Sequence, residues 1–167
     1  VLQGSMGNPM HLFNGLLEGM QSRRPALFYI FAPDHEKHFI AGDAWPKLAP
    51  LALNTRAFPA LRFDPADESG FFCSAIHMEA NPTADAPWHT ETLTYTEGKE
   101  EQILEYAVTW ADWANTLIEW KEHFKPFKEE DGTPLHVAGY LALDESARNG
   151  NVPVIIREKE GALLRYA

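Results

Sequence analysis

Asp34-His35-Glu36-Lys37-His38, followed by Asp43, is the densest group of potential ligands and acid–base groups in this 167-residue chain. Two imidazoles beside carboxylates could move protons or hold a divalent metal. The stretch follows a predicted strand, at the end where open α/β sheets place their function. His35 and His38, however, stand three residues apart in a loop with no helix to fix their geometry, and metal centres use three or four ligands at defined spacing. Three uses stay open, in this order: a solvated loop, contact with a substrate or cofactor through His35 and His38 together with another domain, and a metal site built from Asp34, His35, His38 and Asp43.

Other chemistries lack their prerequisites. No serine stands in a Gly-x-Ser-x-Gly elbow and no glycine-rich phosphate loop is present. Cys73 falls in an apolar stretch, whereas a reactive thiolate wants a nearby positive charge or helix N-terminus. His77 with Glu79, His89, His123 and His136 are scattered and read as surface or locally hydrogen-bonded groups. No residue is assigned a catalytic role.

The elements that must carry these residues are legible from periodicity. Apolar residues at helical spacing predict a helix from His11 to Gln21, with Gly15 and Gly19 on it to allow close approach to a sheet. Ala26–Phe31 is a continuous apolar run between prolines and predicts a buried strand. Trp45–Thr55 returns to helical spacing, with Pro50 expected to kink or divide it. Ala60–Phe63 and Phe71–His77 predict short strands, and Asn81–Pro87 a linker. Alternation in Thr92–Thr96 and Glu101–Val108 around Glu97-Gly98-Lys99 predicts a hairpin with one wet face. A second is predicted from Val154–Glu158 and Ala162–Tyr166.

Thr109 is a predicted cap, with Asp112 three residues on, for a helix whose stripe of Trp110, Trp113, Ala114, Leu117, Trp120 and Phe124 ends before Pro126. That stripe reads as a core or interdomain face. Leu135–Leu143 is either a short helix or an extended segment. The expected class is α+β: a small mixed sheet, two antiparallel β-hairpins and three to four helices.

Length fits one domain, taken as residues 6–167. Val1–Ser5 reads as an expression-tag scar, set aside from the fold, with the native segment expected to start near Met6 or Met10. A net charge of −10 argues against nucleic-acid and anionic-membrane partners, and no apolar run approaches the ~18 residues of a spanning helix. The N-terminus lacks a signal-peptide layout, and one cysteine excludes an internal disulfide framework, so a cytoplasmic setting is expected.

Three blocks carry a family likeness. Arg56-Ala57-Phe58-Pro59-Ala60-Leu61-Arg62-Phe63-Asp64-Pro65 resembles the aromatic-Pro-x-x-Arg-aromatic-Asp-Pro segment near the C-terminal end of pyruvate:ferredoxin (flavodoxin) oxidoreductases, just beyond their thiamine-diphosphate domain. Pro25-Ala26-Leu27-Phe28-Tyr29-Ile30 resembles the last strand of that domain. Thr109-Trp110-Ala111-Asp112-Trp113-Ala114, with Lys121-Glu122-His123-Phe124, is similar to a helix of long fused members. The likeness runs from about Leu12 to about Tyr166.

The resemblance implies a C-terminal accessory domain that is not catalytic in isolation and whose partners are the remaining domains of the parent, with a homodimer possible. The parent would oxidatively decarboxylate a 2-oxoacid with coenzyme A acylation, using thiamine diphosphate, magnesium and iron–sulfur clusters. In the family the loop after the strand supplies a cluster cysteine, and Ala32–His38 has none. A cluster needs thiolates, usually four, so this chain alone builds none. The Gly-Asp-Gly type motif that orients magnesium and thiamine diphosphate is also absent, and Gly42-Asp43 does not replace it. No cofactor is therefore expected within this domain. The alternative is a stand-alone small metal- or ligand-binding protein using the Asp34–His38 loop, and a third reading is a pure interaction module.

Overall fold

The stripe predicted from His11 to Gln21 forms helix α1, Pro9–Gln21, in a computed structural model that describes residues 1–34, 36–38, 45–65 and 75–167. Asn8 caps it, its side-chain oxygen accepting from the His11 amide at 3.1 Å, and Pro9 sits in the first turn, where a missing N–H is no loss. Strands β1, Leu2–Ser5, and β2, Phe28–Phe31, flank α1 and run parallel, with Leu2 opposite Phe28 and Ser5 opposite Phe31. Strand, crossover helix and parallel strand make a βαβ unit.

Setting the first five residues aside is corrected here. Leu2 is 2% exposed, and the ladder onto β3, Leu61–Phe63, continues as the Phe63 amide donates to the Val1 carbonyl at 2.8 Å. With β4, Ile76–His77, the sheet order is β2-β1-β3-β4. The strand predicted as buried is thus an edge strand, with Tyr29 and Ile30 exposed. Helix α2, Trp45–Asn54, passes through Pro50 as one segment and packs on β1. Burial of Leu48, Ala49, Ala52 and Leu53 outweighs the single amide donor that Pro50 removes.

Residues 6–167 read as one domain in sequence, whereas the contacts group the chain into two units, Val1–Pro87 and Trp88–Ala167, divided at the end of the predicted linker. The C-terminal unit holds both predicted hairpins. Strands β5, Thr90–Glu97, and β6, Glu100–Ala107, pair around Gly98, with Thr90, Thr92, Thr94 and Thr96 facing water. Strands β8, Asn151–Lys159, and β9, Ala162–Tyr166, pair around Glu160 and Gly161, both at positive φ as a tight hairpin turn demands.

The single helix expected from Thr109 to Phe124 is divided into α3, Trp110–Ala114, and α4, Ile118–Lys121. Thr116 is the physical reason: its hydroxyl donates to the Trp113 carbonyl at 2.7 Å, and Leu117 follows with extended backbone. Local side-chain bonds of this kind compete with the helical ladder. Leu135–Leu143 is both of its alternatives in turn, since β7, Thr133–His136, leads into α5, Val137–Ala142, and β7 pairs parallel with β8. Val108, Trp113, Ala114, Val154, Ile155 and Ile156 form this unit's core. The chain is α+β, and among the described residues no helix is long and apolar enough to cross a membrane.

The glycines of α1 allow the close approach that their position predicts. A Cβ on Gly15 would overlap the Leu2 side chain, and one on Gly19 would lie 2.5 Å from Phe28 Cε1. Gly15→Ala should therefore destabilise the chain by roughly 1–3 kcal/mol despite alanine's better helix propensity, as measured by urea denaturation.

Candidate functional site

The Asp34–His38 loop leaves the C-terminal end of β2, where the sequence places it. His35 and Asp43 lie outside the described residues, as does Cys73. Asp34 organises the turn: its Oδ1 accepts from the Glu36 amide at 2.9 Å, and its carbonyl from the Lys37 and His38 amides at 3.1 and 3.0 Å. His38 is 4% exposed and meets Phe31 edge-on, with ring centroids 6.0 Å apart. Burial pushes its imidazole below the ordinary pKa, against the pull of Asp34, with Lys37 adding to the fall. Among the described residues no group of three or more His, Cys, Asp or Glu is placed to hold a metal.

A cavity of about 450 Å³ lies instead at the other end of α1, lined by Glu18, Arg23, Arg24, Phe28, Arg62 and Asp64 among others. The Arg56–Pro65 block supplies one wall. Arg62 is committed to Glu18, its Nη1 donating to both carboxylate oxygens at 2.7 and 2.6 Å. Both side chains are partly exposed, so this pair contributes at most about 1 kcal/mol.

The rest of the block fastens backbone. Arg56, at φ 61°, spans the carbonyls of Thr83, Ala84 and Ala86 at 3.3, 3.2 and 2.7 Å. The Pro59 carbonyl accepts from Gln3 at 2.9 Å, and Ala60 is clamped by the Asn81 amide, which accepts at 2.7 Å and donates at 2.6 Å. These contacts make the block a brace.

The most completely organised polar cluster is in the C-terminal unit, and sequence reading did not assemble it. Asp112 has no exposed surface. Its Oδ2 accepts from the Thr109 amide at 2.7 Å and hydroxyl at 3.0 Å, the cap expected for α3. Its Oδ1 accepts from Arg157 Nη1 at 3.3 Å, while Arg157 Nη2 donates to the Asp112 carbonyl at 2.6 Å and Nε to Asn115 at 3.2 Å.

His136 completes the cluster, its Nε2 standing 3.9 Å from Asp112 Oδ2. The Tyr106 ring meets the imidazole edge-on at 5.5 Å. Burial lowers the His136 pKa against the pull of Asp112, with Arg157 assisting, and burial raises the Tyr106 hydroxyl. The available signal was the Thr109–Asp112 pair at the start of a helix, an aspartate next in sequence to Trp113 and Ala114.

This cluster contains an acid, a base and a cation, and each Asp112 oxygen accepts from donors of the same unit. Comparison with known proteins finds no matching family model, no matching curated protein and no matching solved structure.

Removing one partner of a buried, hydrogen-bonded ion pair leaves the other uncompensated. Asp112→Ala should cost roughly 3–5 kcal/mol in urea denaturation, against at most about 1 kcal/mol for Glu18→Ala at the exposed pair.

Proposed function

We propose that the chain is a C-terminal accessory segment of a pyruvate:ferredoxin oxidoreductase-like enzyme, built to dock on the rest of its parent and without catalysis of its own. In that parent the reaction would be oxidative decarboxylation of a 2-oxoacid, with thiamine diphosphate, magnesium and iron–sulfur clusters carried by the other domains. The motif resemblance motivates the reading, and one observation carries the docking role. Helix α1 is apolar on two faces: Leu12 and Gly15 pack inward, while Met10, Phe13, Leu17 and Met20 are 66, 59, 41 and 76% exposed.

Its only charged residue is Glu18, already paired with Arg62. The exposed apolar stripe lies beside the packed one, so α1 carries more apolar surface than its contact with the sheet uses. Edge strand β2 adds two further exposed apolar side chains, Tyr29 and Ile30. Apolar surface of this extent on a chain otherwise rich in carboxylates marks an interaction face.

The test uses Phe13→Glu and Leu17→Glu. Both side chains already face water, so the isolated chain should keep its stability within about 0.5 kcal/mol. The full-length parent carrying either change should lose assembly and turnover. Normal assembly of the variant parents would remove the docking role. Thiamine diphosphate with magnesium should leave the melting temperature of the isolated chain unmoved, and a large specific shift would favour a stand-alone ligand-binding protein instead.

A further inference from the structure

His136 is the N-cap residue of α5, and its ring lies between two groups of opposite demand. On one side the Ala138 amide donates to Nδ1 at 3.3 Å. A nitrogen that accepts carries no hydrogen, so the neutral ring holds its proton on Nε2. On the other side that Nε2–H is buried, has no hydrogen-bond partner, and stands 3.9 Å from Asp112 Oδ2. The groups that face the ring are Asp112 from α3, Arg157 from β8 and Tyr106 from β6. Asp112 is the one anion among them.

We infer that His136 is a proton-operated latch on α5: neutral, it caps the helix through Nδ1; protonated, it releases the Ala138 amide and closes on the Asp112 carboxylate. The added proton must go to Nδ1, because Nε2 already carries one. Nδ1–H then faces the Ala138 N–H, donor against donor, and the cap cannot persist. The imidazolium gains an attraction to Asp112 that the neutral ring lacked, so the ring moves from one neighbour to the other. Helix α5 has six residues, and a helix that short has few backbone bonds with which to survive the loss of a cap.

The pH direction follows from the surroundings. Burial favours the neutral ring, Asp112 opposes it and Arg157 adds to it, so the folded-state pKa lies below the ordinary 6.5. For a depressed imidazole the cap is fully present above pH 6.5 and is lost as pH falls through the lowered folded value.

Nuclear magnetic resonance of the ¹⁵N-labelled full chain between pH 8 and pH 5 tests this. At pH 8 the His136 ring should be the Nε2–H tautomer. On acidification the Ala138 amide protection factor should fall about five- to tenfold, the equivalent of one lost cap, in step with His136 titration and with a midpoint below 6.5. His136→Asn, which caps without titrating, should hold Ala138 protection level across the range. An Nδ1–H tautomer at pH 8, or Ala138 protection that stays level while His136 titrates in the unaltered chain, overturns the latch. So does simultaneous loss of protection across β8, which is global unfolding rather than release of α5.

Discussion

A carboxylate with no exposed surface holds the C-terminal unit to one arrangement. Moving an ion out of water costs several kcal/mol unless its lone pairs are filled, so Asp112 is tolerable only where Thr109 and Arg157 already stand. Thr109 is local and comes with the helix. Arg157 lies 45 residues away on β8, and its guanidinium also reaches the Asp112 carbonyl and Asn115. A five-residue helix such as α3 has no stability of its own. Charge and hydrogen bonding therefore fix where α3 lies on the sheet, and Val108, Trp113 and Ala114 fill the core that this placement encloses. Apolar contact alone would let a short helix slide or rotate.

The N-terminal unit is held by shape rather than charge. Gly15 and Gly19 let α1 approach until Leu2 and Phe28 occupy the space that their Cβ atoms would fill. This commits one face of α1 to the sheet and sets its other apolar stripe outward. In the sheet beneath, β1 lies inside and β2 at the edge. A helix packed this closely cannot rotate to hide Phe13 and Leu17, so their exposure is built into the packing. The docking role proposed for this face rests on that rigidity as much as on composition.

What was legible in the sequence depended on the range of the physics involved. Alternation is a local signal, and both hairpins stand within three residues of their predicted bounds, with Gly98 and Gly161 at the turns. The spacing of α1 and the cap pair Thr109 and Asp112 are also local. The misreadings needed longer range. Leu2–Ser5 has no pattern until Phe28–Phe31 and Leu61–Phe63 lie beside it. Apolar continuity in β2 says that burial is needed and does not say which neighbour supplies it. The division of the Thr109 helix was within reach, since Asn115-Thr116 offers side-chain bonds that compete with the ladder, but a strong apolar stripe hid it. Arg157 and His136 join Asp112 only through the fold.

The Arg56–Pro65 block shows why a sequence signature and a chemical site can part company. Arg56 holds three carbonyls, Asn81 clamps Ala60, and Arg62 takes Glu18, so the block's polar groups are engaged in joining segments far apart in sequence. Each contact constrains residue type: a left-handed φ before a fork of donors at Arg56, a small side chain at Ala60 with 2% exposure, and a long cation at Arg62. Demands of this kind set the block's residue types through backbone conformation, packing and hydrogen bonding. A resemblance carried by such residues therefore speaks to how the segment is built into a larger architecture, and the accessory role proposed for this chain follows from taking the block in that sense.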